Sequence, residues 1–267
     1  MSGVVLRAGA ATHVGRLRTI NQDSYVLLPD RSLYVVADGM GGHQGGEVAS
    51  KLAIETLQVA YRDPTPESLE EAILVANHRI RNEGEADPNL RGMGTTVVAL
   101  ALMPDDPGPD APADEGEPPE HLVIANVGDS RAYLFRDGSL AQLTEDHSVV
   151  ADLVRDGQIT AEEAEVHPQR NIVTRVLGVY ETIDVDLWPV LADLVLEELV
   201  DVVDLFLELR APLVRVLAEH RQRALVASRR DLLEVDAFLL EQSMKIGQLR
   251  QHADGPDDGE RRGDQPV

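Results

Sequence analysis

Short apolar runs separated by polar or glycine-containing segments fill the N-terminal part of the chain. Residues 24–28 and 33–37 flank a Pro-Asp-Arg turn and predict the two strands of a hairpin. Apolar residues recur at helical spacing over 46–61 and 66–82, which predicts two amphipathic helices. A β-branched run at 95–102 then returns to a strand pattern. The predicted order is therefore strand, strand, helix, helix, strand.

The middle of the chain holds a segment with a different composition, residues 104–120. It contains six prolines, seven acidic residues and no basic residue, so it cannot bury enough apolar area to offset its chain entropy. We expect a disordered insertion that lengthens the loop between paired strands at 97–103 and 121–135. Gly128-Asp129 is expected to kink the second strand, and an Arg-Asp-Gly turn leads into a further strand at 139–144. These features predict an antiparallel meander.

The pattern changes after Gly178, because no glycine occurs from residue 179 to 246. Acidic residues recur every three or four positions over 192–209, opposite a set of apolar residues, and predict an amphipathic helix. We expect an all-helical segment over 190–252, followed by a polar, disordered tail over 253–267.

Composition narrows the function classes. The formal net charge of -23 opposes binding to nucleic acid or to an anionic membrane surface. The chain has no cysteine, which excludes thiolate metal sites and a cysteine nucleophile. The longest uninterrupted apolar run, residues 97–103, is far shorter than the roughly 20 residues of a membrane span. We therefore expect a soluble, cytoplasmic protein.

Five glycines follow one predicted strand and precede a predicted helix, in the segment Asp38 to Glu47. A nucleotide-binding P-loop would have lysine where Glu47 stands, and the dinucleotide fingerprint would have glycine where Gln44 stands. A carboxylate at a strand end, beside carbonyl groups that glycine leaves accessible, suits a hard cation such as Mg²⁺ or Mn²⁺. The alternative is a flexible turn between strand and helix.

Two other polar clusters could supply the rest of such a site. Arg18, Gln22 and Asp23 offer a guanidinium for a phosphate group and oxygen atoms for water around a metal ion, although a solvated turn would have the same composition. Asp129 is a carboxylate at the expected bend of the 121–135 strand, where an Asx-type turn is the alternative, and its Gly-Asp-Ser-Arg-Ala segment is close to a serine nucleophile motif. That motif requires a helix after the serine, whereas a strand pattern continues here, which disfavours a serine hydrolase.

These motifs, in this order, resemble those of the metal-dependent type 2C protein serine/threonine phosphatases in their short bacterial form. The resemblance covers residues 8–189 and implies an α+β fold, with two antiparallel sheets packed as a sandwich and helices outside. The motifs are Arg18 with Asn21-Gln22-Asp23, Asp38 to His43 with Gly46-Glu47, Gly94-Thr95-Thr96, Asn126 to Arg131, Leu143 to Ser148, and the run from Gly157 to Gly178.

The resemblance also implies a site for two Mn²⁺ or Mg²⁺ ions between the sheets. Asp38 would bridge both ions, and the carbonyl of Gly39 would bind one of them. Gln22 and Asp23 would hold water molecules around the metal. Asp129 matches the position that contributes to a weaker third ion.

The remaining roles implied by the resemblance concern the phosphate group. Arg18 would bind it, and His43 would act as a general acid or as a hydrogen-bonding support for one. The implied reaction is hydrolysis of phosphoserine and phosphothreonine on proteins that a bacterial serine/threonine kinase phosphorylates.

Two family motifs are missing after the Trp188-Pro189 region, a Ser-Asp-Gly strand end and an Asp-Asn pair, and each carries a metal-binding carboxylate in the family. We therefore expect an incomplete sheet. A diverged pseudophosphatase, a truncation with a foreign helical tail and a shift of reading frame near residue 190 each account for the loss. The alternative function is accordingly an impaired pseudophosphatase or a binding module that uses the predicted 192–209 helix for docking.

Overall fold

The computed structural model describes residues 6, 8–15, 18–42, 44–104, 120–136, 139–190 and 204–208. A hairpin comes first, as predicted: β1 (Asp23–Leu28) and β2 (Leu33–Met40) pair antiparallel around a 3-10 turn. Their register places Asp23 opposite Asp38. The hairpin therefore brings two of the predicted site residues to one end of the sheet.

Two helices cover one face of the larger sheet, and both were predicted. Helix α1 spans Gly45–Ala60 and α2 spans Pro66–Ala86, one turn longer than its apolar pattern indicated. The side chain of Thr65 accepts a hydrogen bond from the Ser68 backbone N–H, which caps the start of α2. The buried apolar core beneath these helices includes Leu33, Val35, Ala53, Leu57, Leu69, Ile73, Ile80, Val97, Ala99 and Ala125.

Six strands form the larger sheet within the described residues, in the order β1-β2-β4-β5-β8, with β3 also paired to β2. The new strands are β3 (Gly94–Thr95), β4 (Val97–Pro104), β5 (Glu120–Val127) and β8 (Asp186–Val190). Pairing of β4 with β5 continues to Pro104 and Glu120, so the predicted insertion begins and ends at two paired residues. Residues 105–119 lie outside the described residues, and their disorder stays a prediction.

The smaller sheet has the order β7-β6-β9, with β6 at Arg131–Arg136, β7 at Ser139–Gln142 and β9 at Asp204–Glu208. The predicted single kinked strand at 121–135 is thus two strands, β5 and β6, that belong to different sheets. A second buried cluster joins apolar residues of the larger sheet to Ala132 of β6. The predicted fold class, two packed antiparallel sheets with helices, is confirmed.

The predicted helix over 192–209 is wrong at Asp204–Glu208, which form strand β9. Its three consecutive apolar residues fit a short strand as well as a helix, and periodicity alone cannot distinguish the two. This segment pairs antiparallel with the edge of β6, and the backbone hydrogen bonds of that pairing favour a strand over a helix. The other predicted C-terminal elements, at 190–267, lie outside the described residues apart from Val190. No helix in the described part of the chain is long and apolar enough to cross a membrane.

Two short helices, α3 (Val149–Arg155) and α4 (Ala161–Val166), lie between strand β7 of the smaller sheet and strand β8 of the larger sheet. Single antiparallel bridges tie this segment to the rest of the fold, one between Ser148 and Val173 and one between Thr95 and Leu177. The second bridge joins the segment to the strand beside Asp38. Residues 173–177 are therefore held near the end of the larger sheet that carries the predicted site.

Candidate metal and phosphate site

A cavity of about 180 Å³ lies at the end of the larger sheet where β1 begins and β2 ends. Five of the seven predicted site residues line it, although they come from three separate stretches of sequence. Asp23 does not line the cavity but lies opposite Asp38 in the hairpin, and His43 lies outside the described residues. The lining residues are Arg18, Gln22, Asp38, Gly39, Met40, Gly41, Thr96, Asp129 and Val173.

The backbone of Asp38 is fixed by two threonines, Thr95 at the end of β3 and Thr96 between β3 and β4. Its N–H donates to Oγ1 of Thr96 at 3.0 Å, and its carbonyl accepts from the N–H of Thr96 and from Oγ1 of Thr95, both at 2.9 Å. Thr95 and Thr96 are 0% and 3% exposed, so the threonine side of each hydrogen bond is buried. The half-buried side chain of Asp38 therefore projects into the cavity from a backbone with little freedom to move.

Close contact between the end of β2 and the start of α1 explains the glycines at this point. A Cβ atom added to Gly39 would lie 1.8 Å from the carbonyl oxygen of Gly46, and one added to Gly46 would lie 2.7 Å from Nε2 of Gln22. No residue with a side chain fits at either position without a shift of backbone. The glycine-rich segment is therefore a packing requirement of the site, and not only a flexible turn.

Gln22 and Arg18 form the outer wall of the cavity. The backbone N–H of Gly39 donates to the carbonyl of Gln22 at 2.9 Å, and Nε2 of Gln22 donates to the carbonyl of Gly41 at 3.3 Å. The guanidinium of Arg18 donates from Nη1 to Oε1 of Gln22 at 2.9 Å. Arg18 is exposed and, among the described residues that line the cavity, is the only one with a positive charge. A guanidinium at the mouth of an otherwise acidic cavity suits an incoming phosphate group.

Asp129 reaches the same cavity from the turn between β5 and β6. The turn depends on Gly128, whose φ is +116° and whose added Cβ would lie 2.5 Å from Cγ2 of Thr96. The next residue, Ser130, is fully buried and its hydroxyl lies 2.6 Å from the Thr96 hydroxyl. Thr96 thus contacts both the backbone of Asp38 and the turn that carries Asp129.

The donor set of the cavity suits a divalent cation. Asp38 and Asp129 supply carboxylate oxygens and Gln22 supplies an amide, which are the hard ligands that Mg²⁺ and Mn²⁺ prefer. The set is small, however: within the described residues, no group of three or more acidic or histidine side chains is arranged to hold a metal ion. The residues present therefore fit a cation as a partial ligand set, which agrees with the two carboxylate motifs missing from the sequence.

A polar cluster behind the Asp129 turn was not predicted from the sequence. His147 is 5% exposed and its Nε2 lies 2.8 Å from Oδ2 of Asp186, while Nη1 of Arg175 donates to Oδ1 of Asp186 at 2.6 Å. Burial raises the pKa of Asp186, but the hydrogen bonds from His147 and Arg175 outweigh it and hold that pKa below its ordinary value. His147 and Arg175 lie in segments that carry the family resemblance, whereas Asp186 had no sequence signal.

Comparison with known proteins decides the family. The family model for Protein phosphatase 2C matches residues 16–153. The chain belongs to this family. A curated relative, the serine/threonine phosphatase stp of Listeria welshimeri, is 38% identical over 192 residues, which are 68% of this chain and 70% of the relative. The predicted family, and the metal-dependent protein serine/threonine phosphatase that it implies by resemblance, are confirmed.

Solved structures agree with the sequence comparison. The chain resembles the PPM Ser-Thr phosphatase MsPP from Mycobacterium smegmatis, solved in complex with cacodylate, with a TM-score of 0.58 and 38% identity over 70% of this chain and 73% of that one. It also resembles the catalytic domain of the phosphatase PstP, solved with 2 manganese ions, with a TM-score of 0.53 and 34% identity over 66% of this chain and 69% of that one.

Proposed function

We propose that this protein hydrolyses phosphoserine and phosphothreonine on other proteins in a reaction that depends on Mn²⁺ or Mg²⁺. The observation that carries the proposal is the cavity of about 180 Å³ that joins Arg18, Gln22, Asp38 and Asp129. Family membership supports the reaction class, and the manganese-containing PstP domain supports the choice of metal. Phosphoproteins made by a bacterial serine/threonine kinase are the proposed substrates.

Each residue has a role in this proposal. When bound, the divalent cations supply an activated water and neutralise the charge that develops at phosphorus during in-line displacement. Asp38 and the Gly39 carbonyl would hold the cations, and Asp129 would contribute to a weaker third ion. Gln22 and Asp23 orient water beside them.

Arg18 binds the phosphate oxygens of the incoming side chain at the mouth of the cavity. His43 would donate a proton to the serine or threonine oxygen as its bond to phosphorus breaks, so that this oxygen leaves as a hydroxyl group, or it would support the donor by hydrogen bonding. Both roles extend the family resemblance to this chain.

A second candidate is a pseudophosphatase that binds Mn²⁺ and phosphate without hydrolysis. The observation that favours it is the small ligand set, since hard cations without clustered carboxylates stay hydrated and bind weakly. The two candidates differ in turnover, and not in whether Mn²⁺ binds at Asp38.

Hydrolysis of a phosphothreonine peptide and a thermal melt separate the candidates. We expect release of phosphate in millimolar Mn²⁺ and none in chelator, and we expect Mn²⁺ to raise the melting temperature. The control is Asp38→Asn, which keeps the backbone hydrogen bonds but removes a carboxylate charge, so Mn²⁺ affinity should fall at least about tenfold.

The outcomes are distinct. A melting shift without hydrolysis would establish the pseudophosphatase. Equal metal-induced shifts in the wild type and Asp38→Asn would refute the proposed position of the metal site.

A further inference from the structure

His147 and Gly128 hold each other through a reciprocal pair of hydrogen bonds. The backbone N–H of His147 donates to the carbonyl of Gly128 at 3.0 Å, and the backbone N–H of Gly128 donates to the ring Nδ1 of His147 at 2.9 Å. Both residues are buried. The backbone immediately before Asp129 is therefore fixed by a histidine ring that lies 19 residues away in sequence.

These contacts decide which ring nitrogen of His147 carries the proton. Because Nδ1 accepts from Gly128, the proton of a neutral ring must be on Nε2. Nε2 then donates to Oδ2 of Asp186 at 2.8 Å. Nη1 of Arg175 lies 3.1 Å from Nε2, but both are donors, and both point to the Asp186 carboxylate. Arg175 and Asp186 thus keep Nδ1 available as an acceptor.

The other side of the Asp129 turn is fixed as well. Ser130 contacts the Thr96 hydroxyl at 2.6 Å, and Arg131 forms a two-pronged ion pair with Asp146, at 2.8 and 2.6 Å. Gly128 packs closely against Thr96, since a Cβ atom added to Gly128 would lie 2.5 Å from Cγ2 of Thr96. Asp129 is therefore the half-buried residue between two anchored neighbours, with its side chain at the cavity.

We propose that His147 is a positioning residue for Asp129, and that Arg175 and Asp186 support it by fixing its ring tautomer. The proposal rests on the proposed function, in which Asp129 helps to hold a divalent cation. Outer partners of this kind commonly change metal affinity by tenfold or more when they are replaced, because they set the direction of the ligand. His147 touches neither the substrate nor the cation in this proposal.

Two substitutions test the two ring nitrogens of His147 separately. In His147→Asn, the amide oxygen takes the position of Nδ1 and can still accept from Gly128, but the contact with Asp186 is lost. In His147→Gln, the amide nitrogen takes the position of Nε2 and can still donate to Asp186, but the acceptor for Gly128 is lost. A purely structural role in the core predicts that both variants lose stability and keep their Mn²⁺ affinity.

Mn²⁺ binding is measured directly, by titrating the full chain and following the free ion by electron paramagnetic resonance. We expect His147→Gln to weaken the Asp129-dependent ion by about tenfold, and His147→Asn to weaken it much less. The same titration in Asp129→Asn protein gives a double-mutant cycle, and there His147→Gln should cause no further loss. Circular dichroism without metal checks that each variant is folded.

The results that overturn the proposal are specific. If His147→Gln binds Mn²⁺ as the wild type does, or if its loss of affinity adds to that of Asp129→Asn, His147 does not act through Asp129. If His147→Gln does not fold, His147→Asn tests the proposal. Its Mn²⁺ affinity must stay nearer to that of the wild type than to that of Asp129→Asn, and an affinity as low as that of Asp129→Asn overturns the proposal. A wild type that binds no Mn²⁺ would overturn the proposed function and this proposal together.

Discussion

The hydroxyl of Thr96 is the contact whose removal should most directly test how the site is held. It accepts from the Asp38 backbone N–H at 3.0 Å and contacts the Ser130 hydroxyl at 2.6 Å, in a residue that is 3% exposed. Thr96→Val keeps the shape of the side chain and removes only the hydroxyl. The Asp38 N–H then loses its acceptor at a partly buried position, and Ser130 loses a partner.

The cost can be estimated from these two contacts. A buried donor left without an acceptor costs about 1–3 kcal/mol, and a lost neutral hydrogen bond adds about 1 kcal/mol, so we expect destabilisation of roughly 2–4 kcal/mol. Urea unfolding followed by the fluorescence of Trp188, the single tryptophan, measures it. Thr96→Ser is the matched control, since it keeps the hydroxyl and loses a methyl group for about 1 kcal/mol.

The order of the two variants is the decisive result. If Thr96→Val is as stable as Thr96→Ser or more stable, the hydroxyl does not hold Asp38 and the Asp129 turn, and the account of the site given above is wrong. A change in the denaturant slope without a change in midpoint would also contradict it, because that pattern reports compactness of the unfolded or folded state.

Two further predictions concern the rim of the site. Gly39→Ala places a Cβ atom 1.8 Å from the Gly46 carbonyl oxygen and should destabilise the fold by at least about 3 kcal/mol in the same unfolding assay. Gly42→Ala is the control, because a Cβ atom there meets nothing within 4 Å, and its stability should stay within about 1 kcal/mol of the wild type. The pKa of Asp186 is lower in the folded protein than in the unfolded chain, so its pairing with His147 and Arg175 stabilises the fold. This stabilisation is fully present at pH values above the unfolded pKa of about 3.9, and it is lost as the pH falls through the folded pKa. The difference in urea midpoint between wild type and Asp186→Asn should therefore be larger at pH 6 than at pH 3, and an equal difference at both would contradict the pairing.

Local patterns predicted the elements that carry their own periodicity. The hairpin, α1 and α2 follow from alternation, from a proline turn and from apolar residues at helical spacing, all of which are encoded within a few residues. Residues 121–135 show the limit of this approach. Their apolar pattern is continuous, but Gly128 turns the chain from one sheet to the other, and the contact that requires this turn is with Thr96.

The residues of the site also divide into those that the sequence predicted and those that it did not. The resemblance predicted Arg18, Gln22, Asp38 and Asp129, and the cavity brings them together, but nothing in the spacing of these residues alone required them to meet. The pair between His147 and Asp186 spans 39 residues and depends on the register of β5 with β8, which no local signal encodes. Partners of this kind become visible only when the strands are placed.

The arrangement of contacts around the cavity separates two tasks. The backbone of Asp38 is held by hydrogen bonds with the buried side chains of Thr95 and Thr96, so the position of its side chain is largely set before any ligand arrives. Arg18, in contrast, is exposed and lies at the mouth of the cavity against Gln22. Preorganised carboxylates lower the cost of binding and orienting a cation, because little rearrangement is needed when the charge arrives. An exposed guanidinium can meet a phosphorylated side chain of a large protein without disturbing the buried contacts. Hydrolysis of phosphoproteins needs both properties at one place, and this end of the larger sheet provides them on separate segments of the chain.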